Sequence, residues 1–115
     1  MAARVVKIDI VSDTICPWCF VGKRRLEQAM AEARGRLRLE FEVRWHPFFL
    51  DPSLPGGSGV NKLERYRAKF GPEAIERMLP RMVQVGRDAG IAFSYGGNLG
   101  NTVDSHRPIE LAWEN

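Results

Sequence analysis

Residues 4–30, RVVKIDIVSDTICPWCFVGKRRLEQAM, contain the change of pattern that decides the fold. Residues 4–13 are rich in Val and Ile, which is typical of a β-strand. Five of the seven residues from 5 to 11 are Val or Ile, so we expect a central strand that is buried on both faces. From Pro17 onward the apolar residues recur at helical spacing, and Pro17 suits the first turn of a helix because its missing N–H is not needed there. Gly35 is the predicted end of this helix.

Residues 37–45, LRLEFEVRW, alternate strictly between apolar and charged side chains. This alternation predicts a second strand with one solvent-exposed face. Such a strand lies at the edge of a sheet or in a sheet with one face partly uncovered. A strand, a helix and a strand joined by short connections form a βαβ unit, in which the two strands are parallel. The predicted fold class is therefore α/β.

The remainder of the chain is predicted to be helical, with loops between the helices. Residues 46–59, HPFFLDPSLPGGSG, are rich in Pro and Gly and are predicted to form a loop. Two helices should follow over residues 61–71 and 72–90, and a last short helix should begin after Asn101 or Thr102. Pro80 and Pro108 lie inside these segments and are expected to kink, split or end their helices.

Composition and charge exclude several classes of function. The chain has 115 residues, so a single domain is the default, and its net charge is only +3, from 17 basic and 14 acidic residues. The chain has two basic clusters, GKRRLE (residues 22–27) and EARGRLRLE (residues 32–40). Acidic residues are mixed into both clusters, so we expect no nucleic-acid interface. The sequence has no membrane-spanning run, and its N-terminus does not have the pattern of a signal peptide. We therefore expect no membrane partner and a cytoplasmic, reducing location.

Cys16 and Cys19, the two cysteines of the chain, form a C-P-W-C motif between the first strand and the first helix. Three interpretations are open: a redox pair, half of a metal site, or two inert core thiols. In a reducing compartment a structural disulfide is not expected, and a C-x-x-C motif between a strand and a helix favours the redox interpretation. A zinc site would need His46 and His106, and the spacing of these four residues fits no zinc-finger pattern. We therefore predict no metal.

The redox interpretation gives the two cysteines different roles. Cys16 is predicted to cap the helix, where unpaired N–H groups lower the pKa of a thiol, so it should be the attacking thiolate. Cys19, one turn further on, should keep its proton and act as the resolving thiol. Pro17 and Trp18 are predicted to tune the pair, and Trp18 also offers an apolar surface to a substrate. His46 and His106 are candidates for tuning or substrate binding if the fold brings them close, although a structural role is the more common one for a histidine.

Four blocks of this sequence together resemble the FrnE-like branch of the DsbA family. The blocks are DIVSDTICPWCFVGKRRLEQAM, VRWHPFFLDPSLPGGSG, YRAKFG and GIAFSYGGNLGNTVDSHR, in the same order as in the family. The resemblance implies a thioredoxin-like fold with a helical domain inserted after the first βαβ unit. It also implies that Cys16 is the nucleophile and Cys19 the resolving cysteine.

The resemblance assigns residues 1–50 to the N-terminal βαβ half of a thioredoxin-like domain and residues 51–115 to part of the inserted helical domain. Members of the family are roughly twice as long, as expected for a domain that contains an insertion. Their second half, which includes a cis-proline loop facing the cysteines, has no counterpart here. We therefore expect a C-terminally truncated form with an incomplete sheet, weakened disulfide exchange and a tendency to self-associate.

The predicted function is that of a DsbA-like thiol–disulfide oxidoreductase that acts on a thiol or disulfide of a protein or small molecule. No resident cofactor is expected, and glutathione is the candidate redox partner. One alternative is a glutathione-dependent isomerase or transferase of the 2-hydroxychromene-2-carboxylate isomerase type, a related branch with Ser at the position of Cys16. The other alternative is a non-catalytic fragment that binds a partner.

Overall fold

The computed structural model describes residues 3–114 of the chain. Its helices and strands, in chain order, are β1 (Arg4–Ser12), α1 (Pro17–Arg36), β2 (Leu39–Pro47), β3 (Val60–Asn61), α2 (Lys62–Phe70), α3 (Pro72–Asp88), β4 (Asn98–Leu99) and α4 (Val103–Glu114). They form two compact units. The first unit ends at Leu50 and resumes at Val103, and the second is Asp51–Thr102.

The division into units differs from the sequence-based division at the C-terminal end. The resemblance assigns residues 51–115 to part of an inserted helical domain, but α4 packs within the first unit. The reason is a set of side-chain contacts that the sequence pattern does not reveal, including the ion pair between Glu110 of α4 and Arg44 of β2, at 3.4 Å. The assignment of the second unit to an inserted helical domain stays a prediction.

The first unit is built on the predicted βαβ arrangement. Strands β1 and β2 are parallel, and their register runs from Arg4 opposite Leu39 to Ser12 opposite Pro47. In the part of the chain that the structure describes, this parallel sheet has two strands. The α/β fold class, with a partial sheet, is therefore confirmed.

One face of this sheet is apolar and the other is mixed. Val6, Ile8 and Ile10 of β1 are half-buried, whereas Val5 and Val11 on the opposite face are more than half exposed. The apolar face lies under α1, whose Arg34 guanidinium stacks over the Phe41 ring with 5.1 Å between guanidinium carbon and ring centroid. The prediction that the first strand is buried on both faces is wrong, because in the described chain α1 covers only one of them.

Strand β2 alternates as predicted over its first half and then changes. Glu40 and Glu42 are exposed, but Arg44 and His46 on the same face are half-buried. The cause is α4, whose Trp113 ring lies 5.0 Å from the Arg44 guanidinium carbon. The polar face of the sheet is therefore covered at the end where β2 approaches the cysteine motif.

Helix α1 begins where the sequence predicts and ends one residue later than predicted. Cys16 is its N-cap residue and Pro17 lies in the first turn. At the other end the Leu37 N–H donates to the Ala33 carbonyl at 2.8 Å, which satisfies one of the last carbonyl groups. Val21, in the second turn, is completely buried and anchors the cysteine end of the helix.

The second unit contains the two predicted helices and a short antiparallel ribbon that the sequence did not predict. Val60 pairs with Leu99 and Asn61 with Asn98. Two-residue strands are too short to show an alternating pattern. Gly59, with φ 72°, allows the ribbon to close, because a Cβ at this position would collide with the Leu99 carbonyl.

Both internal prolines lie within continuous helices. Helix α3 runs through Pro80 and α4 runs through Pro108, so neither helix is split or ended there, and the alternative that the prolines kink the helices stays a prediction. Each proline leaves one carbonyl without its helical N–H partner. Both prolines are exposed, as are Glu76 and Asp104 four residues earlier, so water can satisfy those carbonyls.

Within residues 3–114, every helix is either too short or too polar to cross a lipid bilayer.

Candidate active site

The two cysteines lie at the N-terminus of α1 as free thiols, each partly buried. The backbone N–H of Cys19 donates to the Cys16 sulfur at 3.3 Å and to the Cys16 carbonyl at 3.1 Å. The helix therefore begins on a sulfur atom that accepts a backbone hydrogen bond, as the N-cap prediction required.

The order of the two thiol pKa values is the reverse of the predicted one. Burial raises the pKa of the Cys16 thiol, and its hydrogen bond with the Cys19 side chain raises it further. Burial also raises the pKa of Cys19, but hydrogen bonds from the Ser12 side chain, the Asp13 backbone and Cys16 outweigh that effect and lower it overall. The two thiols interact, so the pair holds one negative charge more readily than two.

Ser12 and Asp13 belong to the site, although the sequence analysis did not assign them to it. Ser12 is the last residue of β1, and Asp13 is the first residue of the connection to α1, three positions before Cys16. The sequence does contain a signal for them. They place a hydroxyl and a carboxyl group at the end of a strand, next to the start of a helix, where functional residues are common. Their roles depend on contacts with residues from other elements, which the local pattern does not contain.

Asp13 connects three segments of the first unit. Its carboxylate accepts hydrogen bonds from the Thr14 N–H at 2.7 Å, the Leu50 N–H at 2.8 Å and the His106 Nε2 at 3.1 Å. The Asp13 side chain is 1% exposed. A buried carboxylate with three donors is well satisfied, so Asp13 fixes the cysteine loop against the end of β2 and against α4.

A cleft of about 330 Å³ lies beside the cysteine pair, within the first unit. Helix α1, the end of β2 and helix α4 each contribute walls. Its lining residues are Ser12, Asp13, Thr14, Cys16, Cys19, Phe20, Lys23, Trp45, His46, Pro47, His106, Ile109 and Glu110. A small thiol compound or an extended side chain would fit in a cleft of this volume.

The structure brings both candidate histidines to the cleft that the cysteines line. His46 lies at its edge and shares a hydrogen bond with Asp9 at 2.7 Å, whereas His106 is buried and bonded to Asp13. Trp18 is 44% exposed and is not among the residues that line the cleft. Pro17 occupies the first turn of α1, as the sequence predicts.

The segments next to the cysteine motif carry exposed apolar side chains, which we call the apolar rim. Trp18 and Phe20 on α1 and Phe48, Phe49 and Leu50 after β2 are each at least 40% exposed. Exposed aromatic residues near a reactive group are common where an apolar segment of a substrate binds.

The acidic and metal-binding side chains do not form a metal site in the described chain. Over residues 3–114, no three His, Cys, Asp or Glu side chains lie close enough together to hold a metal ion. His46 and His106 are each hydrogen-bonded to an aspartate, at distances of 2.7 and 3.1 Å.

This geometry agrees with a comparison against known protein families. The model of the DSBA-like thioredoxin domain matches residues 7–115. The chain therefore belongs to the DSBA-like thioredoxin domain family, and its βαβ unit with cysteines at the helix start is the thioredoxin-like part of that fold.

Two individual proteins are similar to the chain over different lengths. The crystal structure of a probable DsbA oxidoreductase from Streptomyces coelicolor superimposes with a TM-score of 0.76 and 32% identity, covering 94% of this chain and 47% of that one. The uncharacterized protein YwbO from Bacillus subtilis is 46% identical over 48 residues, which is 42% of this chain and 21% of that protein. The chain thus spans about half the length of the solved relative.

Proposed function

We propose that this chain is a thiol–disulfide oxidoreductase whose reacting groups are the sulfur atoms of Cys16 and Cys19. The observation that carries the proposal is the pair of free thiols in the first turn of α1, beside an open cleft, with the Cys19 N–H donating to the Cys16 sulfur at 3.3 Å. Membership of the DSBA-like family supports it. The name of the Streptomyces coelicolor relative, a probable DsbA oxidoreductase, points to the same class of reaction.

The proposed reaction has two exchange steps. A cysteine thiolate attacks one sulfur of a substrate disulfide, a new S–S bond forms between enzyme and substrate, and the other substrate sulfur leaves as a thiolate. The second cysteine then loses its proton and attacks the enzyme sulfur of this mixed disulfide. An intramolecular Cys16–Cys19 disulfide forms and the second substrate sulfur leaves. The substrate disulfide gains two electrons, the enzyme dithiol loses two, and both steps run in reverse when the substrate is a dithiol.

In this proposal Cys16 is the attacking sulfur and Cys19 the resolving one. The lowered pKa of Cys19 does not prevent this, because the pKa values of the two thiols depend on each other, so Cys19 can hold the proton while Cys16 carries the charge. The charge is then on Cys16, where the N–H of Cys19 stabilises it at 3.3 Å. The cap position of Cys16 supports its role as the sulfur that first contacts substrate.

The proposed substrate is a thiol or disulfide carried by a protein segment or a small molecule, with glutathione as a redox partner. The apolar rim that includes Trp18 and Phe49 would suit an unfolded segment with apolar residues beside its cysteine. A cytoplasmic location, the lack of a resident cofactor and the tendency to self-associate stay predictions.

The first experiment tests whether the pair cycles between dithiol and disulfide. The purified chain is equilibrated with mixtures of reduced and oxidised glutathione, quenched with acid and analysed by mass spectrometry. We expect a loss of two hydrogens per chain in wild type and none in the Cys16→Ser/Cys19→Ser variant. A wild-type chain that carries only glutathione adducts at every ratio, without the internal disulfide, contradicts the proposal.

The second experiment separates the roles of the two cysteines. A chain without its resolving cysteine keeps the mixed disulfide, because no internal sulfur can release it. We therefore expect Cys19→Ser to accumulate an adduct with a disulfide-bonded peptide substrate, and Cys16→Ser to accumulate much less. The reverse pattern would make Cys19 the nucleophile.

The charge on the pair can be tested by alkylation at different pH values. Because its pKa lies below that of an ordinary cysteine, the Cys19 thiol should keep its charge to lower pH than a free thiol does. The rate of iodoacetamide alkylation should therefore fall only when the pH drops through this lowered pKa. A profile that matches free cysteine would show that the site does not stabilise a thiolate.

A further inference from the structure

Asp13 is a buried charge directly before the cysteine motif, and the proposed exchange reaction does not use it. Its carboxylate is satisfied by the amides of Thr14 and Leu50, at 2.7 and 2.8 Å, and by His106 at 3.1 Å. A carboxylate with two amide donors stays ionised far more readily than one without them, even when buried. A fixed negative charge therefore lies beside the cysteine pair.

His106 is the only one of these three donors that is a side chain, and it comes from a different element, α4. Its side chain is 8% exposed, and its ring meets that of Phe49 edge-on with centroids 5.4 Å apart. An ionised carboxylate only accepts hydrogen bonds, so the Nε2 atom that faces Asp13 must carry a hydrogen. A second contact, between Thr14 Oγ1 and Ser105 Oγ at 2.6 Å, ties the same loop to α4.

The Asp13 charge acts against a negative charge on the neighbouring cysteine. The backbone of Asp13 stabilises the Cys19 thiolate by a hydrogen bond, but its carboxylate repels that thiolate and raises the pKa of Cys19. A donor that partly neutralises the carboxylate reduces this repulsion. His106 occupies that position.

We propose that His106 is a positioning residue that offsets the buried Asp13 charge and thereby sets how readily the cysteine pair carries negative charge, and with it the reduction potential. This inference rests on the proposed function, because a reduction potential has meaning only for a pair that cycles. The dithiol form carries the thiolate and the disulfide form does not. A change that disfavours the thiolate therefore shifts the equilibrium towards the disulfide.

The other charged side chains that line the cleft have partners outside it. Lys23 pairs with Glu27, Glu110 with Arg44, and His46 with Asp9. These pairs are between about one-third and three-quarters exposed, so solvent screens them more strongly than it screens the buried pair. Asp13 and His106 are the pair whose charge is least screened.

The test uses two substitutions whose effects should have opposite signs. In His106→Leu the Asp13 charge loses its side-chain donor, so the thiolate should be disfavoured and the equilibrium with glutathione should shift about tenfold towards the disulfide, which is about 30 mV. In Asp13→Asn the repelling charge is gone, so the shift should be of similar size towards the dithiol. A merely structural role would move both variants in the same direction or neither.

Two further variants serve as controls. His106→Gln keeps an N–H donor for Asp13 and should stay close to wild type. Asp9→Asn removes the other aspartate that is paired with a histidine, but this one is 72% exposed, so it should leave the equilibrium unchanged. If His106→Leu does not fold, Asp13→Asn decides alone, and an unchanged equilibrium in that variant overturns the inference.

A second measurement separates this inference from the proposed function. Ultraviolet thiolate absorbance, titrated against pH in the reduced chain, reports the charge on the pair without any turnover. We expect the midpoint to rise in His106→Leu and to fall in Asp13→Asn. If wild type forms no internal disulfide, the proposed function fails and the part of the inference about the reduction potential fails with it, while this titration still tests whether His106 sets the charge on the pair. If wild type cycles but both midpoints stay at the wild-type value, the inference alone is overturned.

Discussion

Two histidine–aspartate pairs lie in the first unit, near the same cleft, and they differ in burial. His46 and Asp9 are 2.7 Å apart, with 36% and 72% of their side chains exposed. His106 and Asp13 are 3.1 Å apart, with 8% and 1% exposed. The exposed pair has the shorter hydrogen bond, so distance alone would assign the larger energetic contribution to the wrong pair.

The difference follows from what competes with each hydrogen bond. Water and salt can replace either partner of the Asp9–His46 pair, so its net contribution to stability should be small. Water has little access to Asp13, and removing one partner there leaves a buried group without its hydrogen bond. The comparison teaches that the same two residue types form a weak, solvent-exposed contact at one place in the unit and a structural and electrostatic element at another.

The largest expected effect is that of removing the buried carboxylate. Asp13→Ala leaves the amides of Thr14 and Leu50 and the His106 ring without their acceptor, so it should lower the free energy of unfolding by about 3–5 kcal/mol. Asp9→Ala should lower it by less than about 1 kcal/mol. Urea denaturation followed by circular dichroism measures both changes.

Small domains are stable by only about 5–15 kcal/mol, so Asp13→Ala could leave little folded protein. Asp13→Asn keeps one acceptor oxygen and should leave enough folded protein for the free energy of unfolding to be measured. It should still lower that free energy more than Asp9→Asn does. Equal losses for the two asparagine variants would show that burial does not distinguish the pairs.

The second prediction concerns the histidines. His106→Leu removes a hydrogen bond to a charged group and the edge-on contact with Phe49, so we expect a loss of about 1.5–3 kcal/mol. His46→Leu should change stability by less than about 1 kcal/mol, because its partner Asp9 can be solvated. The same denaturation measurement applies, with His106→Gln as the variant that should recover part of the loss.

The elements of the first unit could be predicted because their signals are local. The alternation in β2, the helical spacing after Pro17 and the cap position of Cys16 are each contained in a short stretch of sequence. These patterns predicted the α/β class, whereas the thioredoxin-like fold and the family were implied by the resemblance of four sequence blocks, in the same order, to a known family. Local patterns could not reveal that α4 returns to the first unit, since that depends on contacts such as the one between Arg44 and Glu110.

The chemistry of the site was less accessible from the sequence. Asp13 and His106 are 93 positions apart in the sequence, and no spacing rule connects them. The predicted pKa order of the two thiols was wrong because the cap argument considered only the helix. The Ser12 side chain and the Asp13 backbone, which lower the pKa of Cys19, approach from the preceding strand and loop.

The third prediction concerns the coupling within each pair. Double-mutant cycles isolate the pairwise energy, and we expect about 1–3 kcal/mol for Asp13–His106 and less than about 0.5 kcal/mol for Asp9–His46. In about 1 M salt the Debye length falls to about 3 Å, so the coupling of the exposed pair should vanish while the buried one persists. Loss of both couplings in salt would mean that the buried pair is solvated in solution.

The smallest effect is expected at the hydrogen bond beside the buried pair. Thr14 Oγ1 and Ser105 Oγ are 2.6 Å apart and exposed, and they join the same loop and the same helix as Asp13 and His106 do. Thr14→Val keeps the shape of the side chain and removes its hydroxyl, so water can replace the lost partner and the cost should stay near 0.5 kcal/mol. Asp9→Asn, at the exposed pair, is the matched control and should cost about as little. If Thr14→Val lowers the free energy of unfolding as much as His106→Leu does, the attachment of α4 depends on the number of contacts and not on their burial.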